Sequence, residues 1–155
     1  MAKKDYNKRS DVEKIESQWT KLSGLHTRSE WSAAVVRAAT AAELAANLAI
    51  RQEFAARSKF DPAFVDSLLK WTNGLSGKLD KLLLPVLKGQ DKHDAISKLR
   101  GLARKVNDKR NDIAHRGAFC SEKEATAQIA NCKTFVVGLV RHYVADFDLH
   151  EKPSR

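Results

Sequence analysis

Apolar residues recur every three or four positions along most of the chain, and this spacing predicts helices. The first predicted helix covers residues 11 to about 22 and opens with a capping box formed by Ser10 and Glu13. Gly24 is expected to end it. No segment alternates between apolar and polar residues in the way that a half-buried strand does.

The longest predicted helix covers residues 30 to about 57 and is the expected centre of the fold. Between residues 31 and 50 it is apolar on almost every side and rich in alanine, so we expect neighbouring helices to pack closely around it. Glu43 and Asn47, one helical turn apart, are its polar exceptions.

Two shorter helices are predicted in the middle of the chain. Asp61-Pro62 places an N-cap residue before a proline and predicts a helix to about Trp71, where Asn73-Gly74 ends it. The next helix is kinked or shortened by Pro85. Phe60 and Trp71 can stack on nucleic-acid bases, but their spacing among Leu and Val residues favours a place in the core.

Two long helices complete the chain. One begins near Lys92 and ends at Gly117. The last one opens with a second capping box, formed by Ser121 and Glu124, and extends to about Phe147. With the two helices before residue 60, they bring the number of long helices to four.

These elements predict an all-α fold, an up-and-down helical bundle of four long helices plus one or two short helices. We expect a single helical domain over residues 10–147. Residues 1–9 are expected to form a flexible basic N-terminus, and residues 148–155 a polar tail.

Composition changes this picture by pointing to a class of partner. The chain of 155 residues, 43% of them apolar, is long enough to bury one hydrophobic core. Lys and Arg outnumber Asp and Glu by 28 to 19. The resulting net charge of +9 favours an anionic partner such as nucleic acid over a purely solubilising role.

Other classes of function are disfavoured. No run of about 18 uncharged apolar residues exists, and no apolar segment follows the basic N-terminus. We therefore expect a cytoplasmic protein without a membrane span. Cys120 and Cys132 are far apart and outside any C-x-x-C pattern, so neither a disulfide nor a zinc site is expected. The His residues are scattered, and we predict no metal and no cofactor.

The stretch 99–117 is the strongest candidate for chemistry. At about 100° per residue, Arg110 falls in the middle of the apolar helix face, where a guanidinium needs a partner. His115 lies about 140° away on an unbroken helix, so the two side chains do not meet automatically. Either the helix end unwinds, or a second copy of the chain completes the pair. Asn111 shares the face of His115.

Glu43 has two interpretations at this level. Its carboxylate, buried on the central helix, can hold and orient the Arg110 guanidinium. Alternatively, Glu43 lies on a solvated strip of its helix beside Thr40 and Asn47. The sequence favours neither interpretation over the other.

The segment Arg110 to His115, RNDIAH, resembles the Arg-x4-His signature of the HEPN superfamily, found near the end of the penultimate helix of a small all-helical domain. The resemblance covers most of the chain in helical layout and six residues in sequence. It implies a compact bundle, usually dimeric, in a family with many metal-independent endoribonucleases. Some toxin members carry a modified Tyr two residues after the His; Gly117 stands at that position here, so that modification is not expected.

RNA can be cut without a metal when its own 2′-OH attacks the adjacent phosphate. An imidazole can transfer protons near neutral pH, and a guanidinium can hold two phosphate oxygens. A single His115 cannot readily serve both sides of the phosphorus, so we expect a homodimer with a composite active site. The catalytic candidates are Arg110 and His115, and the supporting candidates are Asn111, Glu43 and Asn47.

The leading hypothesis is therefore an RNA endonuclease of HEPN type that leaves 2′,3′-cyclic phosphate and 5′-hydroxyl ends. A role as a toxin or defence effector, with an antitoxin or regulatory protein as partner, is in keeping with it. The alternative is a non-catalytic module that dimerises or binds RNA or nucleotide through the same basic face. A structural role for the motif also stays open, with Arg110 bound to Glu43 and His115 capping the helix end.

Overall fold

The computed structural model describes residues 4–72 and 74–150 of the chain. Over these residues the protein is helical, without strands, and the predicted all-α class is confirmed. The elements are a 3₁₀ turn at Tyr6–Lys8, α1 at Asp11–Thr27, α2 at Trp31–Arg57, α3 at Pro62–Trp71, α4 at Gly74–Gly77, a π-helical segment at Lys78–Leu83, α5 at Leu84–Leu87, α6 at Asp91–Arg116 and α7 at Glu122–Val140.

The four long helices, α1, α2, α6 and α7, form an up-and-down bundle. Three ion pairs each join the beginning of one long helix to the end of a neighbouring one: Asp11–Arg51, Lys92–Glu53 and Glu124–Lys109. Each long helix is therefore antiparallel to the long helix before it. This order brings the end of α6 close to the beginnings of α2 and α7.

Helix α2 is the centre of the bundle and packs against α1, α3, α6 and α7. Its small side chains let these neighbours approach closely. The prediction of an alanine-rich central helix with several neighbours is confirmed. Alanines with no exposed surface are Ala34, Ala38, Ala41, Ala42, Ala45, Ala46 and Ala49.

By length and composition, α2 is the one helix in the described part of the chain that could cross a membrane. An 18-residue window of it has a mean hydropathy of 1.4, and 61% of that window is buried inside the bundle. The core helix of a globular bundle passes the same test. Burial against α1, α6 and α7 is therefore a sufficient reason for its apolar composition.

Two helix ends differ from the prediction. Helix α1 continues through Gly24 to Thr27. One glycine costs a helix only about 1 kcal/mol, so it does not end a helix by itself. Helix α7 ends at Val140 rather than near Phe147, and turns follow it. Those turns place Phe147 and Leu149 in the core, 4% and 3% exposed, so the second residue of the predicted polar tail is a buried leucine.

The remaining terminal residues, 1–3 and 151–155, lie outside the described residues. From Lys4 onward the segment that was predicted to be flexible contacts α1. The side-chain amide of Gln18 donates to the Tyr6 hydroxyl at 2.8 Å, and the Arg9 guanidinium donates to the Ser17 hydroxyl at 3.1 Å.

Serine caps begin α1 and α7. The predicted capping box of α1 is complete, with the Glu13 N–H donating to the Ser10 hydroxyl and the Ser10 N–H donating to the Glu13 carboxylate. At α7 only half of the box forms. The Glu124 N–H donates to the Ser121 hydroxyl, but the Glu124 carboxylate binds Lys109 instead of the Ser121 backbone.

The segment after α3 is helical from residue 74 to residue 87. The Leu84 N–H donates to the Leu79 carbonyl, five residues back, which is the π-helical pattern. Pro85 has no N–H to donate, and the segment widens before it rather than ending there. Asn73, which the sequence predicts to end α3, lies outside the described residues.

The prediction that Phe60 and Trp71 belong to the core is wrong. They are 52% and 84% exposed, respectively. Helix α3 starts at the predicted Asp61 cap but buries only Val65 and Leu69. Because α3 packs mainly against α2, Phe64 and Trp71 face solvent and Leu68 is half-buried.

Candidate active site at the end of helix α6

Helix α6 stays α-helical through His115 and ends at Gly117 as predicted. The backbone of Gly117 is left-handed, with φ 65°, a conformation in which a side chain is strained. The N–H groups of Gly117 and Ala118 both donate to the Asp112 carbonyl oxygen. The last turn is therefore closed, and it does not unwind to place the imidazole.

Arg110 and His115 meet within one chain. The Arg110 Nη1 lies 3.5 Å from the His115 Nε2, and it donates to the Asn111 Oδ1 at 3.3 Å. In the tautomer with its proton on Nδ1, the imidazole accepts from Nη1. The long arginine side chain spans the angle between the two positions, so neither unwinding nor a second copy is needed for the contact. The structure thus brings together three of the predicted site residues.

Arg110 and His115 differ in how exposed their side chains are. Arg110 is half-buried, whereas His115 is exposed. Within residues 4–72 and 74–150, Arg110 forms no ion pair with a carboxylate; its partners are the neutral Asn111 and the imidazole. A half-buried guanidinium without a carboxylate partner is available to bind an anion.

An open depression of about 520 Å³ lies on the His115 side of the pair, and its described lining does not include Arg110. Asn111 and His115 line it together with Asp108, Asp112 and Arg116. The sequence-level prediction missed these last three residues. Asp108 and Asp112 could have been found, because they lie seven and three residues before His115 and share its helical face.

The end of α6 is fastened to the beginning of α7. Lys109 forms an ion pair with Glu124, which also lies beside the capping Ser121. The hydrogen bond between them raises the pKa of Lys109 and lowers the pKa of Glu124, so both stay charged near neutral pH. This contact holds the turn of α6 that carries Arg110 against its neighbour.

Glu43 and Asn47 lie elsewhere, and the interpretation that Glu43 binds Arg110 is wrong. The Glu43 carboxylate instead accepts from the Lys78 Nζ at 2.7 Å and is 41% exposed. Asn47 has a buried Oδ1 without a hydrogen-bond partner among the described residues. Both line a second depression, of about 390 Å³, with Lys70 and Lys78.

Helix register explains this separation. Lys92 meets Glu53 across the antiparallel pair of α6 and α2. Arg110 is 18 residues beyond Lys92, and Glu43 is 10 residues before Glu53. The difference of eight residues corresponds to about 12 Å along the bundle, too far for a direct contact.

Within the described residues, no group of three or more His, Cys, Asp or Glu side chains is arranged to hold a metal ion. Cys120 and Cys132 are free thiols. No protein-family model, curated protein or solved structure matches this chain. The functional interpretation therefore depends on the site geometry and on the resemblance in residues 110–115.

Proposed function

We propose that this protein is a metal-independent endoribonuclease of the HEPN type, with Arg110 and His115 as its catalytic residues. The observation that carries the proposal is the 3.5 Å contact between the half-buried guanidinium and the exposed imidazole. Arg110 lacks a neutralising carboxylate among its described partners. A phosphodiester bound there contacts a fixed positive charge and a proton-transfer group at the same time.

The RNA supplies its own nucleophile in this reaction. The 2′-oxygen loses its proton to a base and attacks the adjacent phosphorus, and the 5′-oxygen leaves with a proton from an acid. Arg110 binds the phosphate oxygens and stabilises the charge that grows on them. His115 transfers one of the two protons. Asn111, whose Oδ1 accepts from Arg110, positions the guanidinium.

The other proton transfer needs a second group on the opposite side of the phosphorus. We therefore expect a homodimer in which two α6 ends face one RNA strand, so that each composite site contains two imidazoles. The net charge of +9 supports a polyanionic substrate. A toxin or defence role, and a protein partner that restrains the activity, belong to the same proposal.

The first test is the chemistry of the products. Incubation of single-stranded RNA with the purified full chain in EDTA should yield fragments with 2′,3′-cyclic phosphate and 5′-hydroxyl ends, because no metal-bound water takes part. The DNA of the same sequence should stay intact, since it lacks the 2′-OH. Mass spectrometry of the fragments identifies the ends.

Three outcomes of that assay would contradict the proposal. Cleavage that stops in EDTA, or fragments with 5′-phosphate ends, would exclude 2′-OH attack. Binding of RNA without any cleavage would favour the non-catalytic RNA-binding module instead.

The second test concerns the composite site. At saturating RNA, a ninefold excess of His115→Ala chain should lower the wild-type rate about tenfold, because most wild-type chains then sit in mixed dimers. The mixture is equilibrated before RNA is added, and light scattering confirms the dimer. An unchanged rate would show that each chain cuts alone and would remove the composite site from the mechanism.

A further inference from the structure

Phe119 is 93% exposed, more than any other large hydrophobic side chain in the described part of the protein. It lies on the loop 117–121, which joins α6 to α7 directly after the motif. Single exposed hydrophobic side chains are ordinary in proteins. The exposure of Phe119 is informative for two reasons. The residue follows the motif directly, and hydrogen bonds hold its loop.

The loop is bonded on both sides of the ring. Ala118 donates its N–H to the Asp112 carbonyl oxygen at 3.1 Å, and Cys120 donates its N–H to the Ser32 hydroxyl at 3.1 Å. These two bonds hold the backbone on either side of Phe119. The ring is exposed at this held position of the loop.

The Ala118 bond places the backbone of Phe119 near a residue of the candidate active site. Asp112, which receives the Ala118 N–H, also lines the depression next to His115. The path from the Asp112 carbonyl oxygen to the Phe119 Cα consists of this hydrogen bond, the N–Cα bond of Ala118 and one Cα–Cα step. The Phe119 Cα thus lies less than about 9 Å from that oxygen.

The groups around the ring decide what kind of molecule can cover it. The Arg116 side chain is 82% exposed and pairs with Asp112 at 3.5 Å. His115 is exposed, and Arg110 has no carboxylate among its described partners. An apolar protein surface over Phe119 would also desolvate these polar groups at a cost. A nucleotide offers both parts that the surface needs, because its base stacks on an aromatic ring while its phosphate binds a guanidinium.

We infer that Phe119 is the stacking platform for an unpaired base of RNA, adjacent to the phosphate that Arg110 binds. The inference deepens the proposed function and rests on RNA being the ligand of this site. It assigns substrate recognition to the loop that follows the motif, and it predicts that the nuclease acts on single-stranded rather than paired RNA.

The test is equilibrium binding of a fluorescently labelled oligouridine, measured by anisotropy with full-length protein. All variants carry His115→Ala so that the RNA stays intact. Phe119→Ala should weaken binding about tenfold, the loss of one stacked base. Phe119→Tyr should bind like the parent, whereas Phe119→Leu, apolar without a π-face, should bind as weakly as Phe119→Ala. Trp71→Ala is the matched control; its ring is 84% exposed on α3, and its affinity should not change.

Two results would overturn the inference. One is full affinity in Phe119→Leu. The other is a dimer that Phe119→Ala converts to monomer without RNA, since a second copy would then be what covers the ring. The nuclease proposal fails separately. If binding depends on the ring but the wild-type chain does not cleave RNA, the stacking platform is supported and the nuclease is not. If the wild-type chain cleaves RNA but Phe119→Leu binds normally, the nuclease is supported and the platform is not.

Discussion

Replacement of His115 by alanine is expected to reduce RNA cleavage by about 10²- to 10⁴-fold, the contribution of a positioned proton-transfer group. The imidazole is exposed near the end of α6 and buries no core surface. The folded state and RNA binding should therefore survive in His115→Ala. Initial rates at saturating RNA, with thermal melting of the same samples, separate lost chemistry from lost folding.

Arg110→Ala should lose cleavage to a similar degree. Of the two proposed catalytic side chains, the guanidinium is the one that provides a fixed positive charge to bind the phosphate. Arg110→Lys keeps the charge but not the two-pronged geometry, so it should recover only part of the rate. Since Glu43 binds Lys78 instead, removal of Arg110 leaves no buried carboxylate unpaired there.

Arg116→Ala is the matched control for both variants. Its guanidinium lines the same depression, but its side chain is 82% exposed and it pairs with Asp112. We expect only a few-fold effect on the rate at saturating RNA. Wild-type activity in His115→Ala would overturn the assigned mechanism. Equal losses of rate in all three variants would show that the removal of any of these side chains from the end of α6 has the same effect.

The second large effect is expected on stability, at Glu53. This residue is 2% exposed on α2, and its carboxylate accepts from Lys92 at 2.5 Å, Arg57 at 2.7 Å and the Tyr143 hydroxyl at 2.8 Å. It thereby ties α6 and the segment after α7 to the central helix. Glu53→Ala should lower the free energy of unfolding by about 3 kcal/mol, because donors lose a buried acceptor and a cavity forms.

The same residue predicts a pH dependence. Burial opposes ionisation of Glu53, but the hydrogen bonds from Lys92, Arg57 and Tyr143 outweigh it and hold the pKa below its ordinary value of 4.5. A carboxyl with a lowered folded-state pKa contributes stability above its unfolded pKa. That contribution is lost as the pH falls below about 4.5. The stability difference between wild type and Glu53→Gln should therefore shrink as the pH is lowered through this range.

Urea unfolding followed by circular dichroism, at several pH values, measures both effects. Glu30→Gln is the control, because the Glu30 carboxylate is 52% exposed and its one side-chain partner among the described residues is the exposed Arg28. It should change the unfolding free energy by less than about 0.5 kcal/mol. A Glu53→Ala protein as stable as wild type, or a pH profile in Glu53→Gln that runs parallel to that of wild type, would contradict the role assigned to Glu53.

The local features of this protein follow from the sequence alone. The apolar period of α2, the Ser10 capping box and the helix stop at Gly117 depend on residues a few positions apart, whose relative placement the helix itself determines. The contact between Arg110 and His115 is also local, but the helix angle alone predicted that it needs an unwound helix end or a second copy. In the structure the long arginine side chain bridges the five residues within one unbroken helix.

Contacts between helices depend on their offset along the bundle, and no single segment specifies that offset. The tertiary structure therefore decided that Glu43 binds Lys78 and lies about 12 Å too far along the bundle for Arg110. It also decided that Glu53 is a buried junction, although the sequence singles out only Glu43 and Asn47 on that helix.

Burial of aromatic residues was decided in the same way. The apolar pattern of α3 is that of a core helix, yet Trp71 faces solvent while Leu149 of the predicted tail is buried. A pattern of apolar residues reports that a helix has an apolar face, but the neighbours decide how much of it is covered. Here α2 covers one side of α3, and the chain that returns after α7 fills the core instead.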